Sequence, residues 1–411
     1  MSLAGKAFQA GVVALSLCAA AGAQNANGPE FQVNTYTTGI QYAARVAADG
    51  GGRFVVVWAG TGPGDSSGVF ARRYRSSGAP IGGEFLVNSA VGSSEGYVAV
   101  DAVADVGFVV AWDATGDGYG YGVFARRFDA NGAPIGDDFQ VNTDTTGDQR
   151  NADVAVASDG TFVVVWHDVQ YGTYYTIRAR KYDSNGTPVG LDFQVNTFGT
   201  AYNYHPKVAA VAGGGFVVVW DGDGPLDPSE IFARRYDAAG SPIGGEFRVN
   251  SNVLPWDAYP SIASEASGAF VVSWQAADDA TFDYDIFARR FDAAGNPVAA
   301  QFRVNTYTTG YQYASSIGSD RLGNFIVAWH EVGPDGNGFG VQARRYDSNG
   351  NALGTDFRVN TYTISQQYYA SVAVDPRENF FVVWESNGQD GSGAGIFGQR
   401  LGDFIFGDGF R

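Results

Sequence analysis

The chain repeats one unit seven times, and this limits what it can fold into more than any other feature of its 411 residues. A Phe followed two and three residues later by Val-Asn stands at Phe31, Phe85, Phe139, Phe193, Phe247, Phe302 and Phe357, at intervals of 54, 54, 54, 54, 55 and 55 residues. Each is followed 27 residues on by a tryptophan: Trp58, Trp112, Trp166, Trp220, Trp274, Trp329 and Trp384. An Arg-rich block comes next, as in Ala71-Arg72-Arg73-Tyr74 and Ala125-Arg126-Arg127-Phe128-Asp129. Its first Arg position lies 14 residues after Trp in four copies and 15 in three, so the added residue marks a tolerant loop between them.

Each unit holds four strand-like runs, in the first copy Ala43–Ala48, Phe54–Ala59, Val69–Tyr74 and Glu84–Asn88. The Phe-Val-Val-Val-Trp run is continuously β-branched and aromatic, as suits a strand buried on both faces. Gly-rich breaks such as Asp49-Gly50-Gly51-Gly52 and Asn131-Gly132-Ala133-Pro134 supply the turns. An aromatic content of 14% excludes a disordered chain, and the 57 Gly lack collagen's period. Short antiparallel strands with no helical period predict an all-β chain, a seven-bladed β-propeller of four-stranded blades. A linear solenoid is the alternative, but its coils are usually shorter and its ends need caps. The first repeat begins with Glu30-Phe31-Gln32-Val33-Asn34, a fourth strand, and the last stops near Leu401, after a third. The N-terminal strand is therefore expected to complete the last blade, with Asp403-Phe404-Ile405-Phe406 as the competitor for that slot.

Residues 1–23 read as a cleavable signal peptide. One Lys precedes the apolar run Ala7–Ala21, and Ala21-Gly22-Ala23 forms a small-x-small cleavage site. Cys18 raises lipoprotein processing, which Leu17 fits poorly. The organisation is thus signal peptide 1–23, propeller 24–402 and tail 403–411, in a secreted, surface or periplasmic protein with no membrane span. Cleavage removes the only Cys, so stability rests on packing. A net charge of −17 excludes nucleic acid and anionic membranes as partners, and weighs against a polyanion such as a uronate polymer. The Phe-x-Val-Asn-Thr, Phe-Val-Val-x-Trp and Gly-Ile-Phe-Gly-Gln-Arg elements, the last in Asp390–Arg400, resemble tandem repeats of secreted bacterial β-propeller-like proteins. That resemblance spans residues 30–402 and implies a fold and an exported location; some such proteins also carry haemolysin-type calcium modules. The tail Ile405–Phe410 resembles a short C-terminal motif of exported Gram-negative proteins.

Repetition argues for scaffold. The seven Trp are expected between blades, and the Arg pairs opposite the acids that precede Phe, Glu84, Asp138, Asp192, Glu246 and Asp356, with Gln301 departing. A site is expected where copies differ, on the face shared by the strand 2–3 loops and the links from strand 4 to the next strand 1. The residue after each Trp varies (Ala59, Asp113, His167, Asp221, Gln275, His330, Glu385) and is expected to form a polar circle at the channel, with Asp168 and Glu331 adjacent. Strand-end capping is the bland alternative. The links carry Tyr36, Tyr42, Tyr97, Tyr202, Tyr204, Tyr259, Tyr307, Tyr311, Tyr313, Tyr362, Tyr368 and Tyr369, with Trp256 and the neighbours Gln41, Asn203, Gln312 and Gln367. Such a set suits stacking on sugars, or merely packs loop on loop. Asp65, Asp117, Asp223, Asp335 and Asp390 lie in Asp-Gly-rich loops that could hold Ca²⁺ or simply turn.

The resulting expectation is a binding protein for a glycan or surface component, acting through Tyr42, Tyr97, Tyr204, Trp256, Tyr259, Tyr313, Tyr368, Asp113, Asp221 and Glu385. The alternative is a carbohydrate-active enzyme, a lyase or hydrolase, with His167, His205, His330, Tyr204 and Glu331 at the channel. A structural surface repeat is the third reading. No cofactor is required beyond a possible Ca²⁺, with candidates Asp117, Asp223, Asp335 and Asp390. The repeat sets no oligomeric state.

Overall fold

The Phe-Val-Val-Val-Trp runs form the second strand of each blade, among them Phe54–Gly62, Phe216–Gly222 and Phe380–Asn387. In this computed structural model, residues 26–402 are described apart from 91–92, 94, 171–173, 198–201, 225–228, 252–253, 255, 278–282, 334–337 and 376–378. The signal peptide, the tail with its competing strand, and Asp335 lie outside the described residues. The strands build seven sheets of four, each ordered inner, second, third, outer, and every pairing inside a blade is antiparallel. This is a seven-bladed β-propeller. The inner strands, such as Gln41–Ala48 and Asn203–Ala210, surround the axis.

The last blade takes its outer strand from the beginning of the propeller. Phe31 pairs with Gly398 and Gln32 with Phe397. Phe31 packs on Tyr74 and Phe381, with ring centroids 5.6 and 5.5 Å apart, so the joint between blades 7 and 1 is packed like the others.

The outer strands of blades 2 to 7 are only two residues long, for example Phe139–Gln140, because Val-Asn changes the bonding pattern. In all seven copies the Asn Oδ1 accepts the backbone N–H of the third strand at 2.8–3.1 Å, as from Val69 to Asn88 and from Ile396 to Asn34. The Asn amide then reaches forward to a buried polar residue seven positions on, Gln41, Gln149, Asp257 or Gln367. A side chain thereby supplies the bonds that end the blade and start the next.

All seven Trp are 0–2% exposed and pack between blades, as expected. The Arg pairs are used differently from the expectation. Arg72, Arg126, Arg180, Arg234, Arg289 and Arg344 each donate to a Val carbonyl of the preceding copy at 2.6–2.8 Å. Arg73, Arg127 and Arg235 donate to turn carbonyls of the following blade. The acids before Phe instead accept the N–H of Thr or Ser just past Val-Asn in the preceding blade, Glu84 from Thr35 at 2.6 Å and Asp356 from Thr306 at 2.9 Å. Gln301 does this equally well through Oε1, 2.6 Å from Ser251 N, so its departure in charge leaves the joint intact. Arg178 with Asp192, at 3.3 Å, is one of the cross-strand ion pairs that do form.

Candidate functional site

Every inner strand slips register by one residue near its start, between Tyr42 and Arg45, Glu95 and Val98, Arg150 and Asp153, Tyr204 and Lys207, Ala258 and Ser261, Tyr313 and Ser316, and Tyr368 and Ser371. Such a bulge re-aims one side chain. The residue twelve positions after each repeat Phe sits in it, and in six blades its φ is left-handed: Ala43 57°, Asn151 53°, His205 46°, Tyr259 53°, Ala314 48° and Tyr369 50°. Bulky residues seldom adopt that conformation unless their surroundings impose it, and it concentrates at functional sites.

In four of these six blades the residue that follows the Trp of the blade before accepts the N–H of the bulge residue. Asp221 accepts Tyr259 N at 3.2 Å, Gln275 accepts Ala314 N at 3.0 Å, His330 Nδ1 accepts Tyr369 N at 3.3 Å, and Glu385 accepts Ala43 N at 2.5 Å. Each is a bond from one blade's second strand to the next blade's bulge. Ala59 has no acceptor to offer. In the second blade the bulge accordingly shifts to lie opposite Asp113, and Tyr97 is not left-handed.

The residues expected to form a circle at the channel therefore stand one strand behind it, 0–7% exposed, holding the wall in shape. Gln275 and His330 do reach the wall. Burial pushes the carboxyls of Asp113 and Glu385 up to about 7. Desolvation drives His167 down to about 3, helped by His205 and Arg150, and takes His330 to the same value. His167 Nδ1 meets the Asn151 amide at 3.2 Å, and Glu331 accepts the Trp329 indole N–H at 2.9 Å.

The positions at the bulge line the mouth of the central channel, a space of about 710 Å³: Tyr97, Asn151, His205, Tyr259, Ala314 and Tyr369. Tyr97, Tyr259 and Tyr369 are 50%, 44% and 47% exposed. They come from blades 2, 5 and 7 and meet across the opening. The Tyr259 phenol is raised first by desolvation and then by Tyr97, Asp221 and Tyr369; that of Tyr369 is raised by desolvation and then by Tyr97. The His205 ring stacks on Tyr259 at 3.9 Å, and its Nδ1 lies 2.9 Å from Asp221 Oδ1. Below the ring the wall carries Arg45, Asp101, Asp153 and Lys207, which, like Asn151, the sequence reading passed over.

Around this ring the other tyrosines form terraces. Tyr204 packs with Tyr175, Tyr202 and His167, Tyr313 with Tyr284 and Tyr311, and Tyr368 with Phe339 and His330. Desolvation, with the neighbouring tyrosines, takes the Tyr204 and Tyr313 phenols up to about 12. Tyr42 donates to the Glu95 carbonyl at 2.8 Å. Trp256, 59% exposed with φ 61°, stands in the link before the fifth inner strand. Gln41, Asn203, Gln312 and Gln367 are 0–1% exposed and serve the links, so the expectation that they meet sugar hydroxyls is corrected. Asp117 and Asp390 accept the N–H two residues on at 3.1 and 3.0 Å, which is turn chemistry, and Asp223 accepts Tyr202 N at 3.2 Å, tying its loop to the link before the inner strand. Among the described residues no three His, Cys, Asp or Glu gather as a metal site.

No family model matches the chain, and no curated protein resembles it in sequence. Its fold is similar to solved structures. A Dyadobacter fermentans protein of unknown function aligns at 11% identity and TM-score 0.55, over 91% of this chain and 97% of that one. An α-L-arabinofuranosidase from Fusarium graminearum, solved with an iminosugar inhibitor, aligns at 10% and 0.50, over 74% and 92%. A fungal copper alcohol oxidase aligns at 12% and 0.51, over 91% and 76%. At such identities the likeness is one of fold.

Proposed function

We propose that the protein binds a glycan, seating a terminal sugar in the mouth of the channel. The carrying observation is the convergence of three half-exposed tyrosines, two of them in left-handed backbone, at the opening of a space of sugar-binding size. Aromatic faces cover the apolar side of a pyranose, while phenols, Asn151 and His205 offer hydrogen bonds to its hydroxyls. The arabinofuranosidase with its bound iminosugar supports the reading, since that is a sugar-like ligand on the same fold. The copper oxidase of that fold is why the side chains, and not the fold, carry the argument.

Binding without turnover fits the carboxylates. Glycoside hydrolysis commonly needs two carboxyl groups facing the scissile bond. Asp221 and Glu385 are instead engaged with bulge N–H groups, Asp113 is buried behind the wall, and the wall's own Asp101 and Asp153 accept Val156 N and Val208 N. One observation favours a carbohydrate-active enzyme: Asp221 holds His205 Nδ1 at the channel wall, the arrangement that orients an imidazole for proton transfer. Among the described residues no helix is long and apolar enough to cross a membrane. Export through residues 1–23, in the manner of the secreted bacterial repeats, belongs to this proposal, and N-terminal sequencing after expression checks it.

Calorimetry against a glycan panel, with and without calcium, tests the function. Saturable binding is expected, weakened about tenfold or more when Tyr97→Ala and Tyr259→Ala are combined, at about 1 kcal/mol per lost aromatic face. Binding unaffected by that pair contradicts the proposal. Product release abolished by His205→Ala establishes the enzyme instead.

A further inference from the structure

Two residues below the bulge, the inner strands are tied together by a second set of bonds, each running from a backbone N–H of one blade to a side chain of the blade before. Ser261 accepts Ile317 N at 3.3 Å, Ser316 accepts Val372 N at 3.1 Å, Ser371 accepts Val46 N at 3.2 Å, and Asp153 accepts Val208 N at 2.9 Å. In the second blade this position is Ala99, and Asp101, two residues on, accepts Val156 N at 2.7 Å instead. Five of the seven joints are thus closed by an acceptor. At the other two, in blades 1 and 4, the position holds Arg45 and Lys207, which can only donate. Both line the channel. The cations stand where the scaffold elsewhere uses an oxygen, so they weaken the pattern they occupy and need another reason to be there.

Their charges are incompletely answered. Lys207 Nζ is 3.5 Å from Asp153 Oδ1. Arg45 donates to the carbonyl of its neighbour Ala44 at 2.8 Å and makes no ion pair among the described residues. Asp101 is bound by the N–H groups of Ala102 and Val156, and burial pushes its carboxyl up to about 7, so at neutral pH it is protonated much of the time. Burial raises Glu385, behind Ala43, to about 7 although the Ala43 N–H and Arg45 both act to lower it, so Glu385 answers the Arg45 charge only in part. Lys207 is lowered first by desolvation, which Asp153 opposes, and Arg45 acts in the same direction as desolvation across the channel. Arg45 also lies near enough to Tyr369 to act on its phenol.

We propose that Arg45 and Lys207 form an anion subsite below the tyrosine ring, which selects a glycan ending in a carboxylate-bearing sugar. The pyranose sits among Tyr97, Tyr259 and Tyr369, and its carboxylate points down to the guanidinium, whose planar fork matches two carboxylate oxygens. This rests on the glycan reading and names its ligand class. The −17 net charge repels an extended polyanion, so one acidic unit at the end of a neutral chain is the form that fits.

The test titrates wild-type protein with two oligosaccharides of one linkage, one ending in glucuronic acid and the other in glucose. The acidic one is expected to bind about tenfold tighter, with the advantage shrinking at high salt. Arg45→Gln and Lys207→Gln should erase that preference and leave the neutral affinity within about twofold, while Arg45→Lys retains part of it. Equal affinities in the wild type, or a preference that survives Arg45→Gln, overturn the subsite and leave the glycan reading standing. If neither oligosaccharide binds, the glycan reading falls, and free glucuronate followed by ligand-observed NMR decides the anion site alone. Binding lost in Arg45→Gln keeps the site; absence of binding ends it.

Discussion

Asn34→Ala tests whether the ring is closed by the strand at its start. Asn34 is 2% exposed, and its Oδ1 accepts Ile396 N at 2.8 Å across 362 positions of chain. Its amide donates to Tyr36 O at 2.9 Å and to Gln41 Oε1 at 3.0 Å. Ile396 and Gln41 are both 0% exposed, so truncation leaves a buried N–H and a buried amide oxygen each short of a partner. At about 1–3 kcal/mol for each such group, the expected loss is about 2–6 kcal/mol. Asn142 provides the control, because its contacts are the same in kind: Val123 N at 2.9 Å, Asp144 O at 2.8 Å and Gln149 Oε1 at 2.9 Å. All of its partners belong to blades 2 and 3, which are continuous in the chain. Urea unfolding followed by the fluorescence of the seven buried Trp should show the two Ala variants losing stability by similar amounts. An Asn34→Ala midpoint equal to wild type, beside a lowered one for Asn142→Ala, would mean that the last blade is completed in some other way.

Two further outcomes concern the wall and its hinges. Glu385, raised from 4.5 to about 7, binds its proton more tightly folded than unfolded, so its contribution to stability is present below about 4.5 and lost as the pH rises to about 7. Glu385→Gln keeps an acceptor for Ala43 N, as Gln275 does for Ala314, and should stabilise the protein by about 1–3 kcal/mol at pH 8 with little change at pH 4. Equal gains at both pH values in urea titrations would exclude the buried charge as the cause. Gly60 has φ 131°, and a Cβ there would lie 2.1 Å from the Ile40 carbonyl oxygen. Gly60→Ala should cost about 2–5 kcal/mol, and a wild-type melting curve would show that this close approach does not exist.

The fold was legible because repetition averages out local ambiguity. Seven aligned Phe, Trp and Arg positions expose strand order, turn positions and the completing strand at Phe31. The Arg pairing is not legible because the packing of each blade on the one before brings a Val carbonyl of that blade to Arg72 and its equivalents, a contact that spacing within one unit cannot reveal. The site was half legible. Tyr97, Tyr259 and Tyr369 stand out in the sequence as a varying aromatic set, but the apolar run that marks the second strand stops at Trp, which puts His167 and Glu385 at the strand's apparent end. The strand runs on, to Gln170 and Asn387, and the inner strand covers it. Variation there records how each bulge is held. The bulge itself left a weak signal: position twelve after each Phe varies between a buried polar residue two before it and an apolar one three after, as Gln41, Ala43 and Val46 show. Arg45 and Lys207 gave none until the bonds their counterparts make were visible.

A crystal structure of the protein soaked with a binding oligosaccharide tests the central claim most directly. It should show a sugar ring in the channel mouth, with carbon atoms within about 4 Å of the faces of Tyr97, Tyr259 or Tyr369. A sugar bound only on the outer loops, or a mouth still empty at saturating ligand, would contradict it.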